Sequence, residues 1–382
     1  MKIIFAPDSF KGALRSPGVA AALAAGWRSV RKDDELIGIP LADGGEGTAE
    51  ALRLSTGGAK FTVPAHDALM RDIVADYTLL GGGARTAVME MAAASGIELI
   101  AKAELDPLVA TTYGAGELFL AALKRDISKI VVGIGGSATV DGGAGFLQAL
   151  GVRFYGRDGG LLPPGIGGGE LEEIARIDAS ALAGLPKREL VVACDVTNPL
   201  LGANGAAAVF GPQKGATPET VPVLERNLKH WFEVLRDAGL ADRCDAPGDG
   251  AAGGMGFMLR AVLKAEVRSG ADLVIGLSGM PEALKGASLV VTGEGCSDPQ
   301  TVCGKLCAVV AEHAAKAGVP TVLCAGALRG DTAPLEQVFS GVFSIAAGPG
   351  TLESAIAATE ANLRRAGANL AKLATAFSAK RG

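Results

Sequence analysis

The chain has 382 residues, which is long enough for two domains of ordinary size. Its formal net charge is −5 and it contains no basic run or stripe, which argues against a nucleic-acid-binding surface. No apolar stretch reaches the ~18 residues of a membrane span, and the apolar run at the N-terminus is too short for a signal peptide. The composition therefore predicts a soluble, cytoplasmic enzyme or small-molecule-binding protein.

Cysteine and histidine are too dispersed to predict a zinc centre. The six cysteines show no Cys-x-x-Cys spacing, and the three histidines are scattered. Cys303 and Cys307 are four residues apart on a predicted helix, but a metal pair there would need further ligands. We therefore expect free thiols in a reducing compartment.

The N-terminal segment alternates strands and helices. Apolar runs predict strands at Lys2–Ala6 and Glu35–Pro40. Between them a helix is expected, with Ser16 as its cap and Pro17 at its first position. A glycine turn at 42–47 leads into a second helix. This order is typical of a parallel sheet with right-handed crossovers.

The middle of the chain has a different pattern. From about residue 61 the predicted strands are shorter and alternate in polarity, and Gly156–Gly169 is a glycine- and proline-rich stretch of irregular structure. The other predicted elements here are the strands Arg85–Met91, Ile130–Ile134 and Leu190–Cys194, and helices from Thr111 or Thr112 to Leu123, from Thr217 to Ala238, and over Phe257–Ala265.

Strand–helix alternation returns near residue 270. The predicted elements are the strands Asp272–Ile275, Ser288–Thr292 and Pro320–Ala325, a loop at Gly293–Gly295, and the helices Lys305–Ala317 and Thr351–Ala376. Because the two ends of the chain resemble each other, we expect an α/β fold of two domains. Residues 1–60 and 270–382 would form a doubly wound, Rossmann-like parallel sheet domain, and residues 61–269 an inserted second α/β domain.

A glycine turn after the strand Ile130–Ile134 is the first candidate site. Gly135, Gly136 and Ser137 follow the strand, and Asp141 precedes a helix-like segment. Glycines let backbone N–H groups approach an anion, and a helix N-terminus adds partial positive charge. The alternative is a tight strand-to-helix turn without a ligand. The same Asp-Gly-Gly-x-Gly pattern recurs at Asp43, which we interpret as convergence on one kind of turn.

Polar side chains follow four predicted strands at their carboxyl ends, where open α/β sheets bind ligands. They are Asp8 and Ser9, then Asp43 and Glu46, then Asp195 and Asn198, then Glu294 and Asp298. Carboxylate and amide oxygens, with few histidines and no paired thiols, favour Mg²⁺ over zinc.

Three lysines beside glycines are candidate phosphate contacts: Lys11, Lys214 and Lys305. The chain has no Walker A run, because Gly304-Lys305 is followed by Leu306, and no GxGxxG follows the first strand. A dinucleotide dehydrogenase is therefore disfavoured. Glycine turns, carboxylates and lysines together favour phosphoryl transfer, which needs mainly positioning and charge neutralisation.

Seven segments of the chain resemble the bacterial glycerate kinase family. They are APDSFKG (6–12), PLADGGEGTAEAL (40–52), VMEMAAASGIEL (88–99), TTYGAGEL (111–118), GIGGSATVDGGAGFLQALG (133–151), ACDVTNPLLGANGAAAVFGPQKGAT (193–217) and TGEGCSDPQTVCGK (292–305). The resemblance implies ATP-dependent phosphorylation of D-glycerate, usually to 2-phosphoglycerate, with Mg²⁺. Phosphorylation at the 3-hydroxyl and a non-kinase sugar-acid-binding protein are the alternatives.

The expected site lies in the cleft between the two domains. Asp195 is the first candidate for the base or Mg²⁺ ligand, Asp43 is the second candidate, and Glu294 is a further Mg²⁺ candidate. The Gly135–Ser137 turn would hold an anion, and the lysines, Lys305 among them, would neutralise charge. The remaining expected substrate or phosphate contacts are Asp8, Ser9, Lys11, Glu46, Asp141, Asn198, Lys214, Asp298, Gln300 and Thr301.

One position departs from the family. Its late motif usually reads Gly-Glu-Gly-Arg-x-Asp-x-Gln-Thr, and here Cys296 stands in place of the arginine. If that arginine holds a carboxylate or phosphate, this chain lacks a bidentate cation there; otherwise the change is neutral. The expected partners are D-glycerate and ATP, with no nucleic acid and no membrane. Self-association is left open.

Overall fold

The computed structural model describes residues 1–42, 44–45 and 47–378. The predicted site residues Asp43 and Glu46 lie outside the described residues. The backbone divides into two compact units. Unit 1 comprises Met1–Asp43, Glu50–Thr56 and Ala271–Gly382, and unit 2 comprises Gly44–Ala49 and Gly57–Gly270. The predicted α/β class is confirmed, whereas the domain boundaries near residues 60 and 270 stay a prediction.

The strands and helices of the described residues are numbered in chain order. The strands are β1 (Lys2–Phe5), β2 (Glu35–Gly38), β3 (Ala59–His66), β4 (Asp72–Leu79), β5 (Thr86–Glu90), β6 (Lys129–Gly133), β7 (Arg153–Tyr155), β8 (Arg176–Asp178), β9 (Glu189–Ala193), β10 (Glu266–Arg268), β11 (Leu289–Ser297), β12 (Thr321–Leu328) and β13 (Gly341–Ser344). The α-helices are α1 (Ser16–Arg28), α2 (Thr48–Thr56), α3 (Ala92–Ser95), α4 (Tyr113–Leu123), α5 (Ala144–Ala149), α6 (Val221–Asp237), α7 (Met255–Ala261), α8 (Gly270–Leu277), α9 (Met280–Leu284), α10 (Leu306–Lys316), α11 (Ala333–Val338), α12 (Leu352–Ala357) and α13 (Thr359–Ser378). Among the described residues, no helix combines the length and the apolar character that a membrane span requires.

Unit 1 is built on a five-stranded parallel sheet in the order β13–β12–β11–β1–β2. The apolar run Ile3–Phe5 of β1 is fully buried at 0% exposure, because the strand lies inside the sheet with side chains covered on both faces. Burial of such aliphatic and aromatic side chains contributes roughly 1.5–3 kcal/mol each. The carboxyl end of β1 lies beside the middle of β11, since the backbone N–H of Asp8 donates to the carbonyl oxygen of Gly293 at 2.8 Å.

Helices α1 and α13 cross at two glycines. A Cβ at Gly26 would overlap the carbonyl oxygen of Arg364, and a Cβ at Gly367 would overlap the carbonyl oxygen of Leu23. The missing side chains let the two backbones touch and close the apolar layer over the sheet.

Gly26→Ala is expected to destabilise unit 1 by about 1–3 kcal/mol, because the new methyl group forces the two helices apart. Gly276→Ala is the matched control. It is also a helical glycine of unit 1, and no described atom lies within 4 Å of its added Cβ. The control should be neutral or stabilising, as alanine is the better helix former. Urea unfolding of both variants measures the difference, and equal midpoints would contradict the close crossing.

The structure corrects four predictions in unit 1. Asp272–Ile275 is not a strand but part of α8, and Gly293–Gly295 is not a loop because β11 continues to Ser297. The closing helix is two helices, α12 and α13, separated at Ala358.

Ser16, the fourth correction, does not cap α1. Its hydroxyl donates to the carbonyl oxygen of Pro7 at 2.7 Å and accepts the N–H of Leu41 at 2.9 Å. It therefore joins the loops that follow β1 and β2.

Unit 2 is built on a six-stranded sheet in the order β10–β9–β6–β5–β4–β3. The first four strands are parallel, and β4 and β3 continue the sheet antiparallel. Two buried aromatic side chains, Trp231 and Phe154, meet edge to face in the core. The indole N–H of Trp231 donates to the carbonyl oxygen of Gly142 at 3.0 Å, which connects α6 to the segment before α5.

Helix α6 begins four residues later than predicted. Thr217 and Thr220 hydrogen-bond each other's backbone N–H groups through their hydroxyls, and this local turn replaces the first helical turn. The strands Ile130–Ile134 and Leu190–Cys194 are confirmed within one residue as β6 and β9.

Candidate active site

The glycine turn after β6 presents three consecutive backbone donors. Gly136 adopts φ +71°, a left-handed conformation that glycine accepts without strain. The turn is anchored on both sides: Ala138 N–H donates to the carbonyl oxygen of Ser95, and Ile97 N–H donates to that of Gly136. Among the described residues, no acceptor takes the N–H groups of Gly135, Gly136 and Ser137. Successive N–H groups of this kind form a concave anion-binding site.

Lys214 lies beneath this turn. Its Nζ donates to Ser137 Oγ and to the carbonyl oxygen of Thr139, each at 2.7 Å. The side chain is only 2% exposed. The structure thus brings together two residues that are 77 positions apart in sequence. It does not place the ammonium at the surface, where it would meet a ligand directly.

The buried lysine should make stability depend on pH. Burial lowers the pKa of Lys214 to about 7 from its ordinary 10.5, and the negative charge of Asp141 opposes the fall. The pKa of Lys214 is therefore lower in the folded chain than in the unfolded chain. The contribution of Lys214 to folding stability is fully present above pH 10.5, and it is lost as the pH falls towards 7.

We therefore expect the unfolding free energy of the wild type, minus that of Lys214→Met, to rise by about 1–3 kcal/mol between pH 7 and pH 9.5. Urea unfolding at the two pH values measures it. Lys229→Met, which removes an exposed lysine of α6, should show no such trend. A flat difference for Lys214→Met would contradict the lowered pKa of the buried amino group.

Asp141 holds the chain between the turn and α5. Its side chain is 0% exposed and accepts four hydrogen bonds, from Thr112 N and Oγ1 (2.8 and 2.7 Å) and from Gly143 and Gly145 N–H (both 3.2 Å). Burial raises the pKa of the Asp141 carboxyl, and these hydrogen bonds oppose the rise. A carboxylate therefore already occupies the N-terminus of α5. This burial does not support the predicted contact of Asp141 with a substrate.

Asp195 stands at the carboxyl end of β9 with its side chain exposed. Its Oδ1 accepts the backbone N–H of Gly270 at 2.9 Å, which fixes the carboxylate beside the end of β10. Asn198 lies farther along the same loop, and its Nδ2 donates to the carbonyl oxygen of Asn204 at 2.8 Å. That contact assigns Asn198 a part in shaping the loop.

Glu90 was missed by the sequence reasoning. It ends β5, and its two carboxylate oxygens accept the N–H groups of Gly47 (3.1 Å) and Ala49 (2.7 Å). It thereby holds the second glycine turn at the start of α2. Gly44 of that turn packs so closely that a Cβ would lie 2.7 Å from Cα of Gly270. The available signal was a carboxylate inside the apolar run Val88–Met91, which is costly to bury without partners.

In unit 1, polar groups gather where β1 ends, beside the second half of β11. Asp8 Oδ1 accepts the N–H of Ser9 at 2.6 Å, and Lys11 lies exposed in the same loop. The backbone of this loop passes close to Gly295, whose Cβ would lie 3.5 Å from Lys11 N. Burial raises the pKa of the nearby Cys307 thiol, and the charges of Glu294 and Asp8 add to the rise.

Glu294 is oriented by two hydroxyl groups. Ser297 Oγ and Thr301 Oγ1 donate to its Oε1 at 2.8 and 2.7 Å. Its Oε2 accepts no hydrogen bond from the described residues. Because Thr301 is 0% exposed, it positions this carboxylate and does not face a ligand itself. The predicted direct contact of Thr301 is thus not supported.

Asp298 and Lys305 form a loose pair at the start of α10. Lys305 Nζ lies 3.4 Å from Asp298 Oδ1, and that oxygen also caps the short helix 299–302 by accepting the N–H of Gln300. The Gln300 side chain is exposed. Cys296 is partly buried on β11, where it pairs with Ala327 of β12. The position that carries arginine in the family is therefore a strand position, directly before Ser297.

Mg²⁺ fits these residues by ligand chemistry. No group of three potential ligands gathers among the described residues. Mg²⁺ typically takes one or two carboxylates and completes its shell with water and substrate phosphates. Asp195 and the oriented Glu294 are carboxylates of this kind, each in its own unit. Asp195 follows β9, whereas Glu294 lies inside β11 and not at the strand end where the sequence placed it.

Residues 3–375 match the model of the glycerate kinase family. The chain is 43% identical over 373 residues to "Glycerate 2-kinase" of Escherichia coli (strain K12), covering 97% of each chain. It is also 43% identical to "Glycerate kinase" of Bacillus subtilis (strain 168), covering 93% of each. A crystal structure of "putative glycerate kinase 2" from Salmonella typhimurium LT2 superposes with a TM-score of 0.87 at 42% identity and 99% coverage of both chains. The chain therefore belongs to the glycerate kinase family and is an ATP-dependent kinase.

Proposed function

We propose that this enzyme transfers the γ-phosphate of ATP to the 2-hydroxyl of D-glycerate, giving 2-phosphoglycerate and ADP. The name of the Escherichia coli relative, glycerate 2-kinase, supports the position of transfer. The observation that carries the proposal is the turn Gly135–Ser137, with three backbone donors that no described residue uses. Such a turn suits an anionic oxygen group, and both ATP and glycerate carry one.

In unit 2, Asp195 is proposed to accept the proton of the attacking hydroxyl or to bind Mg²⁺. Its exposed carboxylate is held by the N–H of Gly270, so it is oriented without being buried. A general base must reach the proton that it removes, and a carboxylate fixed at a strand end meets that need. The Gly135–Ser137 turn would hold a substrate anion, and Glu90 would keep the neighbouring glycine turn in place.

In unit 1, Lys11 and Lys305 are proposed to neutralise phosphate charge. Lys11 is exposed, and the 3.4 Å contact of Lys305 with Asp298 is loose enough to exchange for a ligand. Asp8, Ser9 and Gln300 stay candidates for contacts with either substrate. Glu294 is the proposed Mg²⁺ ligand of this unit, with Ser297 and Thr301 fixing its orientation. Bound Mg²⁺ would neutralise charge on the phosphate oxygens.

The proposal is tested by measuring ADP release with D-glycerate, ATP and Mg²⁺ present. We expect release that depends on glycerate and stops when EDTA removes the metal. L-glycerate and a reaction without acceptor are the controls. Release no faster than without acceptor would overturn the proposed function, and equal rates with EDTA would remove Mg²⁺ from it.

A further inference from the structure

The hydroxyl of Ser137 is constrained by the ammonium beneath it. Lys214 Nζ donates a hydrogen bond to Ser137 Oγ at 2.7 Å, and the protonated amino group has no lone pair with which to accept one. Ser137 Oγ is therefore the acceptor of this contact. The serine's own O–H must point elsewhere, and no acceptor among the described residues takes it.

The backbone donors of the turn have the same property as this O–H. The backbone N–H groups of Gly135, Gly136 and Ser137 are equally without a described acceptor. Gly136 is exposed, so the turn is open to solvent, whereas Lys214 is enclosed. The second contact of Lys214, to the carbonyl oxygen of Thr139, fixes the ammonium in place.

We propose that Lys214 is a positioning residue that fixes the Ser137 hydroxyl as the fourth donor of an anion-binding turn. Its charge acts on the anion through Ser137, and not by contact. The proposal rests on the proposed function and sharpens it. The ligand group is a set of anionic oxygens, which either the carboxylate of glycerate or a phosphate of ATP can supply.

The alternative is a structural lysine that only pins the backbone at Thr139. The two accounts differ in how substitutions combine. If Lys214 acts through Ser137, the double variant should bind no more weakly than Lys214→Met alone. If the lysine only pins the backbone at Thr139, its loss disturbs the turn independently of the Ser137 hydroxyl, and the losses of the two single variants should add.

The test measures dissociation constants of ATP and of D-glycerate separately, by calorimetry, for Ser137→Ala, Lys214→Met and the double variant. We expect Ser137→Ala to weaken one ligand by about ten- to a hundredfold and to spare the other. Lys214→Met should weaken the same ligand, without a further loss in the double variant. Loss of ATP affinity identifies a phosphate as the anion, and loss of D-glycerate affinity identifies the carboxylate. Lys229→Met is the matched control and should change neither constant.

Unchanged affinities in Ser137→Ala would overturn the proposal. So would a double variant whose loss of affinity is the sum of the two single losses, or a Lys214→Met variant that loses both ligands equally. If Lys214→Met does not fold by circular dichroism, Ser137→Ala alone decides. Because binding is measured without turnover, the proposal for Lys214 and the proposed function can fail separately. A wild type that binds both ligands without releasing ADP contradicts the proposed function, while the variants still judge the turn.

Discussion

Replacing Asp195 by Asn is expected to abolish turnover and leave the fold intact. The amide oxygen can still accept the N–H of Gly270, now held at 2.9 Å by Oδ1, so the loop after β9 should keep its shape. What disappears is the negative charge that would take a proton or bind Mg²⁺. The loss of a general base alone lowers kcat by about 10²- to 10⁴-fold.

Steady-state kinetics with both substrates measures this effect, and circular dichroism checks the fold. Asp242→Asn is the matched control, since Asp242 is an exposed carboxylate of the same unit. It should keep wild-type kcat. Turnover of Asp195→Asn within about threefold of the wild type would remove Asp195 from the mechanism, because a threefold change is far below the contribution of a general base.

Asp141→Ala is expected to cost at least about 3 kcal/mol of folding stability. The substitution leaves the N–H groups of Thr112, Gly143 and Gly145 inside the protein without their acceptor. Each such group costs about 1–3 kcal/mol when it is buried and unpaired. A loss of this size is a large part of the total of about 5–15 kcal/mol that holds a typical domain folded.

Asp158→Ala provides the comparison for this prediction. Asp158 also accepts a backbone N–H two residues ahead, that of Gly160 at 2.9 Å, but it lies exposed on a glycine loop. Its loss should change the unfolding free energy by no more than about 0.5 kcal/mol. Urea unfolding of both variants decides. Similar small effects would mean that Asp141 is not a structural carboxylate and would reopen its role as a ligand contact.

The sequence predicts the buried strands well because their continuous apolar runs are bounded by charged residues or glycine. Ile130–Ile134 and Leu190–Cys194 match β6 and β9 within one residue. The predicted strand Asp272–Ile275 is wrong, because its apolar run is too short to distinguish a strand from a helix. A short apolar run fits a buried helix as well as a strand, and α8 buries Leu273, Val274 and Ile275.

For the candidate site, sequence reasoning identifies strand ends but not hydrogen-bond partners. It places Asp195 and Gly135–Ser137 at the ends of β9 and β6, where the structure has them. It cannot tell that Asp141 faces inward or that Lys214 reaches the turn from beneath, because both depend on contacts between distant segments. Glu90 was missed for the same reason, since its partners lie 43 and 41 residues away.

The most direct test of the account is to identify the product by NMR after incubating the protein with D-glycerate, ATP and Mg²⁺. The account predicts 2-phosphoglycerate and ADP in equal amounts. Phosphate on the 3-hydroxyl would overturn the position of transfer. The absence of any phosphorylated glycerate would contradict the account as a whole.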